Sequence, residues 1–138
     1  MAGPESNFWQ ALKRAKPPEC LAMRLENRAG GGLPDVHMVW DGMPFWVELK
    51  VANSNSVKVS PHQVAWHTSY FTRGGLSFFL VKSLSSLKIK LLRGSEVQAL
   101  LSEGLEAAPG LVFSRANVLY PALRAEIEEH YARVLRGL

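Results

Sequence analysis

Apolar positions change their period several times along the chain, and each change marks an element. Phe8, Trp9, Leu12 and Ala15 recur at helical spacing, between Glu5 and the Pro17-Pro18 pair that ends the segment. Residues 20–27 alternate instead, with Leu21, Met23 and Leu25 on one face and Ala22, Arg24 and Glu26 on the other, which predicts a strand. Beyond Gly30-Gly31-Gly32, residues 35–41 and 44–51 are rich in Val, Trp and Phe, and Asp41-Gly42 between them signals a β-hairpin. After the polar loop Asn53-Ser54-Asn55-Ser56, Ser60 as N-cap, Pro61 at the first helical position and Gln63 at the third form a capping box. The helix they open ends at Arg73-Gly74-Gly75. Residues 76–81 are nearly all apolar and read as a central strand, residues 87–92 as another, and residues 95–102 as a helix. The tail over residues 120–138 is amphipathic, with Leu123, Ile127, Tyr131 and Leu135 every four residues, so it either covers the sheet or pairs with a second copy. The succession predicts an α/β fold, a mixed central sheet of about five strands flanked by helices.

Charge enters this pattern most informatively on the hairpin, residues 33–50, LPDVHMVWDGMPFWVELK. A two-residue loop at Asp41-Gly42 pairs Trp40 with Met43 and sets Asp35 opposite Glu48, with Cβ atoms about 5 Å apart on one face. A loop at Gly42-Met43 sets Asp35 opposite Lys50 instead. Both registers keep Asp35, Glu48 and Lys50 on the same face; only an odd-length loop without a bulge separates them.

Composition narrows the setting. The 138 residues suit one domain, with a core of about 5–94 and a helical extension of about 95–138. A hydrophobic content of 47% with 20% charged residues is that of a globular protein, and no stretch nears the roughly 18 apolar residues of a membrane span. The first residues lack the basic and apolar regions of a signal peptide, so a cytoplasmic location is expected. Cys20, the sole cysteine, has no internal disulfide partner and no evident histidine partner for thiol chemistry. Net charge is +4, distributed unevenly: residues 1–94 carry 12 Lys and Arg against 6 Asp and Glu, whereas residues 95–138 carry 4 against 6. The hairpin therefore lies in the basic part of the chain, which suits a polyanionic partner, although scattered solvated charges read the same way.

Asp35 and Glu48 are hard oxygen ligands of the kind that suits Mg²⁺, which typically holds one or two carboxylates, waters and substrate phosphate. Such an ion would polarise a phosphodiester and acidify a water; Lys50 could position or deprotonate that water or stabilise the phosphorane, and the Leu49 carbonyl could complete the coordination. Two further residues have alternative roles. Glu5 is either a favourable charge at a helix N-terminus or a third carboxylate over the hairpin. Gln63 is explained by its capping box, yet it shares a helical stripe with Trp66 and Tyr70 that brings it near the sheet. His62 and His67 lie about 140° apart around a helix, off any common metal-binding face, and are expected at the surface or an interface. His37 shares the face of Asp35, where it is either a structural histidine or a substrate contact. Trp9, Trp40, Trp46 and Trp66 are expected in the core. No Lys-Ser/Thr follows the glycines, which excludes a nucleotide-binding P-loop.

Pro34-Asp35, twelve intervening residues and Glu48-Leu49-Lys50 resemble the signature of the PD-(D/E)XK nuclease superfamily. A leading helix with Glu5, glycines before Pro34-Asp35, and Ser60-x-x-Gln63-x-x-Trp66 closing at Gly74-Gly75 extend the resemblance to stand-alone VRR-NUC domains and archaeal-type or phage Holliday junction resolvases, from Glu5 to about Ser83. The resemblance implies a restriction-endonuclease-like fold and a DNA endonuclease using Mg²⁺, or Mn²⁺. It implies Asp35, Glu48 and the Leu49 carbonyl as metal ligands, Glu5 near the metal, Lys50 as the catalytic lysine and Gln63 beside it. Arg24, Arg28, Gly31, Lys58 and Arg73 are the candidate DNA contacts. Branched DNA is the expected substrate, and the paired cuts that resolve a junction imply a homodimer. A less selective duplex, flap or single-strand nuclease and a non-catalytic nucleic-acid-binding module are the alternatives.

Overall fold

The computed structural model describes residues 3–25 and 32–137. Helix α1 (Pro4–Ala15) opens at proline, whose missing N–H costs nothing at a helix start, and buries Phe8, Trp9 and Leu12. Strand β1 (Cys20–Arg24) follows, then β2 (Val36–Trp40) and β3 (Met43–Ala52) form the hairpin. Helix α2 (Pro61–Thr72), strands β4 (Ser77–Ser83) and β5 (Ile89–Arg93), helix α3 (Val97–Ala107), strand β6 (Leu111–Phe113) and helix α4 (Tyr120–Arg136) complete the chain. The six strands lie in one sheet in chain order. All neighbours are antiparallel except β3 and β4. That one parallel pair needs a crossover, which α2 supplies. The sixth strand is the difference from the sequence expectation: β6 has three residues, with Leu111 and Val112 exposed, too short and too open to show alternation.

The hairpin adopts the first of the two registers. Trp40 pairs with Met43 and Val36 with Val47, so the loop is Asp41-Gly42. Both loop residues have positive φ, +49° and +78°, as the I′ turn that suits right-twisted strands requires. Arg124 of α4 secures this turn, pairing with Asp41 at 2.6 Å and lying over the Trp40 ring at 5.3 Å.

Alternation divides the apolar side chains between two cores. Val36, Met38, Phe45, Val47, Leu49, Phe78 and Leu80 point to the face covered by α1 and α4 and form the larger core. Phe79, Val81 and Leu92 point the other way and pack with Val97, Leu100 and Leu105 of the α3 region. The helices on this second face leave the outer part of β1 and β2 open, where Leu21 is 65% and Met23 58% exposed. Among the described residues no helix is long and apolar enough to cross a membrane.

The tail is a sheet cover. Leu119, Leu123 and Ile127 are buried in the larger core, and the Tyr120 hydroxyl donates to the Leu12 carbonyl of α1 at 2.7 Å. Leu135, on the same sequence stripe, lies beyond the sheet and is 69% exposed. Ile127→Ala is therefore expected to cost about 2–5 kcal/mol of unfolding free energy. Leu135→Ala should change it by less than about 0.5 kcal/mol. Urea denaturation of the two variants checks the contrast.

Candidate active site

Asp35, Glu48 and Lys50 meet where the covered part of the second face gives way to the open part. The register that pairs Val36 with Val47 carries Asp35 to the position opposite Glu48, and Lys50 follows on the same face. Asp35 Oδ2 accepts the Leu49 N–H at 3.0 Å. In a strand the N–H and C=O of one residue point the same way, so the Leu49 carbonyl also faces the β2 side. The residue that the register would set against Leu49 is Pro34, which has no N–H to offer that carbonyl. The Pro34-Asp35 pair thus ends the ladder and puts a carboxylate and a backbone carbonyl side by side.

Gln63 reaches this centre from the first turn of α2. Ser60 Oγ accepts the Gln63 N–H at 3.1 Å, and Gln63 Oε1 accepts the Ser60 N–H at 3.0 Å. The same Oε1 accepts from Lys50 Nζ at 2.9 Å, while Nε2 donates to Glu48 Oε2 at 2.9 Å. The two roles considered for Gln63 are one arrangement: the capping box fixes the oxygen end of the amide, and this aims the amino end at the carboxylate.

Glu48 is 3% exposed, and its Oε1 has no hydrogen-bond partner. Burial and then the neighbouring Asp35 charge raise its carboxyl to about 8; Lys50, whose Nζ is 3.8 Å from Oε2, opposes the rise, and a hydrogen bond to Asp35 and the charge of Glu5 add to it. Without a cation, then, Glu48 keeps its proton to a higher pH than an ordinary carboxyl. Each carboxylate gives one oxygen to a protein donor, Asp35 to Leu49 and Glu48 to Gln63. The remaining oxygens, with the Leu49 carbonyl beside them, fit a hard divalent ion such as Mg²⁺ that completes its shell with water and phosphate. Among the described residues no three His, Cys, Asp or Glu side chains converge into a metal cluster, so any such site rests on the two carboxylates.

Glu5 sits in the first turn of α1, on the helix that covers the opposite face, and pairs with Arg24 at 3.5 Å. Its charge still reaches Glu48 and adds slightly to the rise of that carboxyl. Of the candidate DNA contacts, Arg24 is engaged by Glu5, and Lys58 is exposed in the loop before α2. Arg73 is not brought to the centre. It ends α2, about 15 Å along the axis from Gln63, with its guanidinium on the Ser69 carbonyl and hydroxyl at 3.1 and 2.6 Å. Arg28 and Gly31 lie outside the described residues, as does Glu26. Gly32, with φ +79°, presses on α2 so closely that a Cβ would fall 2.2 Å from the His62 carbonyl oxygen.

Two expectations from the sequence change. His67 is fully buried rather than at a surface, with Nδ1 2.7 Å from Ser77 Oγ. Burial, and secondarily the Lys50 charge, push it down to about 4. A Cβ at Gly94 would lie 2.0 Å from Ser77 Oγ, so the pair occupies space only glycine leaves. The tryptophans also divide. Trp9 and Trp40 are buried, but Trp46 and Trp66 are half-buried on the face of the carboxylates. The parity of the hairpin carried that signal, since Trp46 is two residues from Glu48.

No protein-family model matches the chain, and no curated protein matches it. Solved structures do. A structure titled "VRR_NUC domain" is 26% identical, covering 62% of this chain and 91% of its own, at a TM-score of 0.49. Hjc of Archaeoglobus fulgidus, described as a Holliday junction resolvase from an archaeal hyperthermophile, is 15% identical, covering 68% of this chain and 75% of its own, at a TM-score of 0.50. The fold is restriction-endonuclease-like, a mixed sheet flanked by helices as in that neighbour.

The raised Glu48 carboxyl has a stability consequence. In the unfolded chain this group loses its proton near the ordinary glutamate value of 4.5, and in the folded, metal-free chain near 8, so the folded state binds more protons between those values. Its contribution is destabilising as pH rises through that window and constant above it. In EDTA, Glu48→Gln is expected to unfold at a temperature near wild type at pH 4.5. It should be more stable by on the order of a few kcal/mol at pH 8, as thermal melts across the window would show.

Proposed function

We propose that the chain is a metal-dependent DNA endonuclease of PD-(D/E)XK type, acting on branched DNA. The observation that carries the reading is the pairing of half-buried Asp35 with buried Glu48, whose carboxyl is raised to about 8, with the Lys50 ammonium bridged to Glu48 through one glutamine amide. Asp35, Glu48 and the Leu49 carbonyl would hold Mg²⁺ or Mn²⁺, and the ion would supply Lewis-acid charge at the scissile phosphate.

The chain's own groups account for the rest. Two carboxylates alone would repel a phosphodiester, and Lys50 offsets them from 3.8 Å. Gln63 Oε1 accepts one hydrogen bond from the Lys50 ammonium, which has two further donors. With these Lys50 can stabilise charge developing on phosphate or orient the attacking water. Hydrogen bonds to Glu48 and Asp35 hold both carboxylates in place before substrate arrives. The fold likeness to a Holliday junction resolvase supports the branched substrate. A homodimer is part of the proposal, because resolving a junction takes two paired cuts.

A labelled four-way junction and a linear duplex, each with Mg²⁺ or EDTA, test the reading with wild type and Asp35→Asn. Wild type should cleave the junction in preference to the duplex, only with Mg²⁺. Asp35→Asn should lose more than about 100-fold, the upper end seen for groups one step removed from a metal. Cleavage that survives EDTA or Asp35→Asn overturns the mechanism; equal cutting of both substrates makes it a less selective nuclease. Binding without cleavage in every metal makes it a nucleic-acid-binding module.

A further inference from the structure

Four aromatic rings run beside the carboxylate pair, and nothing in the chemistry above uses them. His37 and Trp46 face each other across the hairpin, ring centroids 4.6 Å apart. Trp66 of α2 meets Trp46 edge-on at 6.0 Å, and Tyr70, one turn on, stacks on Trp66 at 4.6 Å and 23°. All four are half-buried. His37 is two residues from Asp35 and Trp46 two residues from Glu48 on the same face, a separation of roughly 7 Å along a strand.

The surroundings say which part of a nucleic acid fits there. The open half-sheet next to the His37–Trp46 pair presents Leu21, Met23, Val39 and Pro44, all apolar. A duplex held by its backbone needs cations opposite its phosphates, and among the described residues the Leu21, Met23, Val39 and Pro44 surface offers none. Half-buried rings beside the proposed phosphate site, next to apolar residues, suit the π-faces of bases instead. An intact helix keeps its bases stacked on one another, so the bases have to be exposed already.

We propose that the His37–Trp46 pair, continued by Trp66 and Tyr70, is a stacking platform for an unpaired base adjoining the scissile phosphate, and that it selects DNA with splayed or single-stranded nucleotides over intact duplex. The proposal rests on the nuclease reading for the position of the phosphate and adds the structural feature of the substrate that is recognised. The backbone lies over Lys50 and the carboxylates, and the neighbouring base turns toward Trp46.

Binding without cleavage tests this separately from the nuclease reading. Full-length chain carrying Asp35→Asn is titrated with a labelled single-stranded oligonucleotide, a four-way junction with unpaired nucleotides at its centre, and a blunt duplex. Adding Trp46→Leu should weaken the first two by about tenfold and the duplex by less than twofold. Trp46→Phe, which keeps a ring, should restore most of the loss, and His37→Ala should reproduce part of it. Thermal melts identify a variant that has merely unfolded, in which case the His37→Ala and Trp46→Phe pair carries the comparison. Equal weakening on all three DNAs, or none, overturns the proposal. So does a shift from dimer to monomer on Met23→Glu combined with unchanged single-strand binding by Trp46→Leu, which would make the open face a contact between copies. Loss of cleavage in Mg²⁺ by the parent chain would sink the nuclease reading and leave the binding comparison intact.

Discussion

One amide group, that of Gln63, ties the start of a helix to the centre of the sheet. Its oxygen accepts from the Ser60 N–H and from Lys50 Nζ, and its nitrogen donates to Glu48. These bonds depend on one another. A backbone N–H and an ammonium can only donate, so the oxygen end must face them, and the amino end is left to face the carboxylate. Reversing the amide would set donor against donor on one side and acceptor against acceptor on the other. The rule that begins α2 is therefore also the rule that orients the polar centre, and the loop of residues 53–60 has to deliver Ser60 within a few tenths of an ångström for both to hold.

The same constraint explains how a carboxylate can be buried at β3. Glu48 sits over Phe79 in register, beneath the first turn of α2, where water has little access. A buried charge with an unpaired oxygen is expensive, and the chain meets the cost by keeping the proton. His67, one turn along α2 from Gln63, is buried neutral for the same reason, and the Lys50 charge nearby weighs against protonating it. Both groups respond to one cation, Lys50, and to one low-dielectric boundary.

Much of this was legible in the sequence because strand parity and cap chemistry are local. Asp41-Gly42 signalled a hairpin, and counting back from either two-residue loop kept Asp35, Glu48 and Lys50 on one face; the structure selects the register that sets Asp35 against Glu48. Ser60, Pro61 and Gln63 announced the helix start that the structure has. What was not legible depended on the partner across the sheet. His67 was expected at the surface or an interface because it lies about 140° around the helix from His62, off any common metal-binding face; its burial comes from Ser77 and Gly94, distant in the chain. Strand β6 exists because β5 offers an edge, not because three residues insist on it. Trp46 and Trp66 were placed in the core on residue type, although parity already set Trp46 beside Glu48. That Gln63 serves cap and site together also lay beyond the sequence, which presents the two roles as competitors.

The division between the two faces of the sheet makes such a centre tolerable. The face under α1 and α4 holds the larger core, and the Tyr120 hydroxyl and the Arg124–Asp41 pair fasten α4 to α1 and to the hairpin turn from that side. The site face has only the smaller core, gathered toward β4, β5 and α3. Burying Glu48 and His67 there subtracts from stability, and the opposite face supplies the surplus. It follows that the site face need not be sealed. Leu21 and Met23 can remain exposed, and the aromatic row can remain half-open, without endangering the fold, because neither the hairpin register nor the position of α4 depends on what covers them. A sheet whose stability resided on both faces equally would have had to close this surface, and with it the approach to Asp35, Glu48 and Lys50.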